Sequence, residues 1–116
     1  MSLRDRILSS NDIKSTTVHV DSWGVDLDIR TITAVERSRL VAMCTKEDGN
    51  VDMEKMYPML IISACFDPET GEKVFTSDDM LLLQDKSASA IEFVAQEVMR
   101  MSGMLPKAVD VEGKSN

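Results

Sequence analysis

The chain has 116 residues with 13 Lys or Arg and 20 Asp or Glu, which gives a net charge of −7. This length suits one domain with a single modest core. The negative charge argues against binding to nucleic acid or to an anionic membrane, because both are bound by clustered cations. The basic residues of this chain are scattered, with no run of them anywhere.

No targeting segment and no cofactor site are predicted. Residues 3–8 are too short and too charged for a secretory signal, and the longest strongly apolar run, 59–65, is far below the roughly 20 residues that span a bilayer. We therefore expect the protein in the cytosol. Cys44 and Cys65 lie far apart in apolar sequence and have neither zinc-binding nor redox spacing. We interpret them as buried, reduced thiols.

The first predicted elements are a short helix and a β-hairpin. Ser2 can cap an amphipathic helix that extends to Leu8. Residues 16–31 alternate with a period of two on both sides of a Gly-containing loop, which predicts an antiparallel hairpin with one buried face. A lone hairpin is marginal in water, so this face must pack on helices or on further strands. The apolar residues of the face are Val18, Val20, Val25, Leu27 and Ile29.

The middle of the chain predicts two helices. Thr33 and Glu36 have capping-box spacing and begin a helix to about Cys44. Asp52 caps the next helix. The apolar run 59–65 is interpreted as its central buried part, although periodicity alone also allows a buried strand.

Pro58 lies inside this second helix and predicts a disturbance there. Proline has no N–H, so it cannot donate a hydrogen bond to the carbonyl of Glu54. We therefore expect the helix to kink or restart near Tyr57.

The last third of the chain predicts a turn and two further helices. Residues 67–71 are predicted to form the turn, with Pro68 at a position that requires a φ near −65°. A brief extended segment is predicted at 74–75. A helix begins at Thr76 and continues to about Gln84, with acidic residues in its first turn. The clearest helix follows Lys86 and carries one apolar stripe at three- and four-residue spacing. The stripe consists of Ile91, Val94, Ala95, Val98, Ser102 and Leu105, and Gly103 and Pro106 end the helix.

Together these elements predict an α+β fold that is mainly α. The short N-terminal helix and the β-hairpin are expected to pack on four to five helices within one domain, residues 1–108. The tail 109–116 is expected to be disordered.

No catalytic constellation is found, and we expect no enzyme. His19, the one histidine, lies on the polar face of the predicted hairpin and is interpreted as a solvated strand residue rather than a general base. The acidic loops that begin at Asp48 and Asp67 lack the Gly that an EF-hand loop has at its sixth position, so both are interpreted as ordinary turns. The glycines are scattered and form no phosphate-binding loop.

Three sequence features favour protein binding. Nine methionines are a heavy load, and Met is frequent on surfaces that repack around partners as well as in cores. Trp23 lies at the hairpin tip, where it either packs onto a helix or contacts a partner. Phe93 points away from the apolar stripe and is either an exposed anchor or a contact to another element of the fold. The predicted partner-binding residues are Trp23 and Phe93, followed by Met101 and Met104.

Several short motifs also occur in a recognisable order. They are Ser2-Leu3-Arg4-Asp5-Arg6-Ile7-Leu8 with Asn11-Asp12-Ile13, Trp23-Gly24-Val25, Ala34-Val35-Glu36-Arg37, Val51-Asp52-Met53-Glu54-Lys55-Met56-Tyr57-Pro58, Asp67-Pro68-Glu69-Thr70-Gly71, Lys86-Ser87-Ala88 and Met101-Ser102-Gly103. In this order, over roughly residues 2–107, the chain resembles the tail assembly chaperones of long, non-contractile-tailed bacteriophages and their prophages.

The resemblance implies a protein that is made in the host cytoplasm and is absent from the mature virion. Members of this family are thought to coat the tape measure protein, keep it soluble and bring tail tube subunits to it. Many are also made in a longer form by a ribosomal frameshift. The implied partners are the tape measure protein first and the tail tube protein second, with self-association as a further option. No catalytic, metal or cofactor residue is carried over.

Two other classes of protein remain open at this stage. One is a structural tail-completion or connector protein that stays in the virion, and the other is a small acidic adaptor or inhibitor of a host protein. Met-rich apolar patches on an acidic body suit a chaperone, because they can cover apolar surface reversibly while the charge limits self-association.

Overall fold

The computed structural model describes residues 1–104. In chain order these residues form α1 (Leu3–Leu8), β1 (Ser15–Val20), β2 (Val25–Arg30), α2 (Ala34–Cys44), α3 (Met53–Ala64), β3 (Cys65–Phe66), a 3₁₀ turn (Ser77–Asp79), α4 (Met80–Gln84) and α5 (Ala88–Met101). The predicted fold class, α+β and mainly α, is confirmed. The boundary at 108, the tail 109–116, Leu105 and Pro106 lie outside the described residues.

The hairpin forms in the register that its alternating pattern requires, because a slip by one residue would turn the apolar side chains outward. Val20 lies opposite Val25 across the loop. Gly24 has a φ of +62°, and its N–H donates to the carbonyl of Val20 at 2.8 Å. Val25, next to this loop, is 42% exposed. The other members of the predicted face are buried or half-buried, namely Val18, Val20, Leu27 and Ile29.

A third strand, which the sequence interpretation did not include, extends the hairpin into a sheet of order β1-β2-β3. Cys65 pairs with Ile29 and Phe66 pairs with Asp28, both antiparallel. The apolar run 59–65 is therefore helical as far as Ala64 and extended at Cys65. Periodicity allowed either a helix or a buried strand, and each is correct for part of this run.

Pro58 does not interrupt α3, so the predicted restart near Tyr57 is wrong. The helix is continuous from Met53 to Ala64. The side-chain amide Nε2 of Gln84 donates to the carbonyl of Glu54 at 3.1 Å, which replaces the donor that proline lacks. A side chain from α4 thus supplies the hydrogen bond that the helix cannot make within itself.

The helix caps follow the sequence prediction. Thr33 and Glu36 form a reciprocal capping box at the start of α2, and the side chain of Asp52 accepts from the N–H of Glu54 at the start of α3. A second capping box, at Thr76, begins the 3₁₀ turn that leads into α4.

Helix α3 is the centre of the fold and packs against α2, α4, α5 and β2. The predicted stripe of α5 is buried from Ile91 to Val98. The hydroxyl of Ser102 accepts from the N–H of Ile32 at 3.0 Å and so joins the end of α5 to the chain that follows β2. Helix α1 differs from all the others because none of its residues is buried.

Candidate partner-binding surface

The structure places Trp23 and Phe93 on two sides of the hairpin tip. Phe93 is 44% exposed on α5 and lines a recess of about 190 Å³ with residues 21–22 of the hairpin loop. Trp23 is half-buried against the core and lines a second recess, of about 290 Å³, with Phe75 and Leu83. Of the two options for Trp23, packing inward is the one observed, whereas Phe93 offers an open ring face.

Met101 and Met104 lie elsewhere. Both are half-buried and packed against the core. The eight residues from Phe93 to Met101 correspond to about 12 Å along the helix axis. The four predicted residues therefore divide into a pair at the hairpin tip and a pair at the carboxyl end of α5.

Two strongly exposed leucines on α4 were missed by the sequence interpretation. Leu81 is 74% exposed and Leu82 is 65% exposed, while Leu83 is buried. Consecutive helical residues point about 100° apart, so three adjacent leucines cannot all face one core. The run Leu81-Leu82-Leu83 in a predicted helix was therefore a usable signal for exposed leucine.

A helical groove, formed by α3, α4 and α5, has a volume of about 400 Å³ and is lined on the α4 side by Leu83 and Gln84 rather than by the two exposed leucines. It shares Leu83 and Lys86 with the recess of Trp23, so the two form one continuous surface. The groove is lined by the apolar residues Met53, Tyr57, Pro58, Leu83, Ala88 and Ile91 and by the polar residues Glu54, Gln84, Lys86 and Glu92.

Helix α1 presents a second unburied apolar surface. Leu3 and Ile7 are one helical turn apart and both are exposed, as is Leu8. The hydroxyl of Ser2 caps the helix by accepting a hydrogen bond from the N–H of Asp5 at 3.1 Å. The helix is thus stabilised by a local hydrogen bond rather than by packing against the core.

His19 is exposed on β1, which confirms its interpretation as a solvated strand residue. Its Nδ1 lies 2.7 Å from Oδ1 of Asp26, and its Nε2 lies 3.4 Å from Oδ1 of Asp21. The hydrogen bond to Asp26 raises the pKa of His19 above 6.5, because the carboxylate favours the charged imidazolium.

We expect the Asp26→Asn substitution to lower the pKa of His19 towards 6.5. In the native protein the stabilisation by protonated His19 is fully present below pH 6.5 and is lost as pH rises through the higher folded pKa. An NMR titration of the imidazole protons measures the shift. Asp21→Asn is the matched control and should lower the pKa less, because that contact is longer. Equal effects of the two substitutions would contradict the assignment.

The two cysteines are buried, as predicted. Burial raises the pKa of Cys65 to about 12 and also raises the pKa of Cys44. Since the thiolate is the reactive and metal-binding form, these thiols are poor nucleophiles and poor ligands. Within residues 1–104, no three His, Cys, Asp or Glu side chains gather as a metal site. In the same range, no helix is long and apolar enough to cross a membrane.

No protein-family model matches the chain, and no curated protein matches its sequence. A solved structure, that of the tail assembly chaperone of bacteriophage HK97, is similar to it with a TM-score of 0.62. The likeness covers 84% of this chain and 91% of that chain, at 15% sequence identity. The resemblance inferred from the sequence motifs is thus confirmed for the three-dimensional structure, and the protein has a fold like that of a phage tail assembly chaperone.

Proposed function

We propose that this protein is a non-enzymatic tail assembly chaperone of a long, non-contractile-tailed phage or prophage. It binds the tape measure protein and helps to recruit tail tube subunits in the host cytoplasm, and it is absent from the mature virion. The observation that supports this proposal is the likeness to the HK97 chaperone, which extends over nearly the whole of both chains.

The surface residues of this chain suit such a partner. The resemblance implies a tape measure protein that is a long helix with an apolar stripe, exposed until the tail tube encloses it. Leu81 and Leu82 are exposed on α4, next in sequence to Leu83, which lines both the helical groove and the recess of the half-buried Trp23. An apolar groove between helices is a common receptor for an amphipathic helix, which places side chains in it at three- and four-residue intervals. We therefore assign the tape measure protein to the helical groove together with the exposed leucines of α4.

The test is co-expression with a tape measure protein that is insoluble alone. The wild-type chain should make it soluble, whereas the Leu81→Gln/Leu82→Gln variant should not. Both leucines are exposed, so the double substitution should change stability by only about 1 kcal/mol. Its loss of exposed anchors should weaken binding by about tenfold or more.

The matched control is Val35→Gln/Met43→Gln on α2, which removes two other exposed apolar side chains. This variant should solubilise the tape measure protein as the wild type does. Equal failure of both double variants would mean that general surface apolarity, and not the groove, is responsible. If purified virions contain the chain in stoichiometric amounts, the chaperone proposal fails and the protein is instead a structural connector.

A further inference from the structure

A second surface, the acidic cleft, lies between the loop end of β2 and the segment that follows β3. Its volume is about 500 Å³. Val25 and Val74 are 42% and 41% exposed at its sides, and Leu27 lies buried beneath them. The cleft is lined by Val25, Asp26, Leu27, Asp67, Pro68, Glu69 and Val74.

The cleft exists because β3 is much shorter than β2. On the β2 side, strand β3 pairs with Asp28 and Ile29 while β2 continues to Val25, and on its other side Phe66 forms a bridge with Lys73. At Asp67 the chain turns away, since its carboxylate accepts from the N–H of Glu69 at 2.8 Å and its carbonyl accepts from the N–H of Gly71 at 2.8 Å. Among residues 1–104, no strand pairs with β2 over 25–27 on the β3 side. An unpaired strand edge is a template for an added strand.

The charge of the cleft is one-sided. Asp26, Asp67 and Glu69 supply three carboxylates, and none of the lining residues in the described part of the chain is Lys or Arg. Arg30, which bonds the carbonyl of Gly71 in the adjacent turn, places its guanidinium 3.8 Å from the ring centre of Phe66 and does not line the cleft. Of these three carboxylates, Asp26 pairs with His19, whose Nδ1 lies 2.7 Å from its Oδ1.

We propose that the acidic cleft binds an extended, basic segment of a protein partner that alternates aliphatic with Lys or Arg residues. The backbone of this segment pairs with the open edge of β2 through the N–H and C=O of Asp26, in the position that a longer β3 would occupy. Its aliphatic side chains contact Val25 and Val74, and its cations contact Asp67 and Glu69. Main-chain pairing supplies affinity and the side-chain contacts supply specificity in this mode of recognition. The site is separate from the helical groove and does not depend on the proposed function.

The first experiment titrates the full chain with a synthetic six-residue peptide of alternating Lys and Val, blocked at both ends. The Asp67→Asn/Glu69→Gln variant should bind the peptide about tenfold more weakly, because it loses two charge contacts at the cleft. Asparagine still accepts a hydrogen bond at position 67, so the turn should be kept, which an NMR spectrum checks. The control Asp12→Asn/Glu47→Gln removes two exposed charges elsewhere and should bind within about twofold of wild type.

The second experiment distinguishes strand pairing from charge attraction. The same peptide with an N-methyl group on every residue keeps its charges but loses all its backbone donors, so it should bind about tenfold more weakly. Equal binding of the methylated peptide would overturn strand pairing. Equal weakening by the two double variants would overturn the cleft as the site.

Two other occupants of the cleft give different results. If the cleft variant abolishes concentration-dependent self-association of the protein, the occupant is a second copy of the chain and the proposal fails. If deleting residues 105–116 raises the affinity for the peptide about tenfold, the chain's own carboxyl end occupies the cleft and the proposal also fails. The cleft variant should still solubilise the tape measure protein, so failure at one surface is distinguishable from failure at the other.

Discussion

Replacing Leu60 with alanine is expected to lower the free energy of unfolding by about 2–5 kcal/mol. Leu60 is fully buried in α3, the helix that contacts α2, α4, α5 and the sheet. The substitution removes buried methyl groups and leaves a cavity that several packed elements cannot all close. Urea unfolding, followed by circular dichroism, measures the change.

Leu82→Ala is the matched control for this substitution. It deletes the same atoms from a side chain that is 65% exposed, so the free energy of unfolding should change by only about 0.5 kcal/mol. A loss comparable to that of Leu60→Ala would mean that α4 packs more deeply than described. It would also remove the basis for assigning the exposed leucines to a partner.

Trp23→Ala and Phe93→Ala are expected to differ in which property they change. Trp23 packs against the core beside Phe75 and Leu83, so its truncation should cost about 2–3 kcal/mol of stability. Phe93 is exposed, so its truncation should cost less than about 1 kcal/mol. If the Phe93 ring is a partner anchor, the same substitution should weaken binding by about 2 kcal/mol.

A thermal melt and a pull-down on the tape measure protein separate these two effects. Normal folding with lost binding in Phe93→Ala would support Phe93 as a contact residue. Normal folding with normal binding would remove it from the surface and leave Leu81 and Leu82 as the anchors. A Trp23→Ala variant as stable as wild type would contradict the inward packing of Trp23.

The hairpin loop lies between the two proposed binding surfaces. Trp23 lines the recess that continues into the helical groove, and Val25, two residues later, lines the acidic cleft. Gly24 separates them and adopts a positive φ, which lets the chain reverse between the two surfaces. The two surfaces differ in chemistry, because the helical groove has apolar walls with charges of both signs whereas the charged residues of the cleft are all acidic, so they suit two different kinds of ligand segment.

Local signals in the sequence were sufficient for most of the secondary structure. The capping pairs at Thr33 and Asp52, the alternation over 16–31 and the stripe of α5 each depend on residues a few positions apart. Interactions of that range operate within one element, so the sequence pattern contains the whole of the physical cause. For the same reason, the inward-facing residues were identified correctly at Val18, Val20, Leu27 and Ile29 of the hairpin and from Ile91 to Val98 of the α5 stripe, whereas Val25, at the loop, is 42% exposed.

Tertiary structure decided the features that depend on distant residues. Strand β3 forms because Cys65 and Phe66 pair with residues of β2 that are distant in sequence. Ile29 lies 36 residues before Cys65, and Asp28 lies 38 residues before Phe66. Helix α3 continues through Pro58, and Gln84, 30 residues away, donates to the carbonyl of Glu54 that proline leaves without its helical partner. A sequence pattern within one element cannot indicate a pairing residue or a hydrogen-bond donor that is 30 or more positions away.

The binding surfaces follow the same division. The sequence alone determined that Phe93 departs from the apolar stripe of its helix, but only the packing of α5 beside the hairpin decided how much of the ring stays open. Trp23 had two equal options until the fold supplied Phe75 and Leu83 as neighbours. Burial depends on which elements come together, so the exposure of an apolar side chain is a property of the tertiary structure, whereas its position on a helix or strand is a property of the sequence.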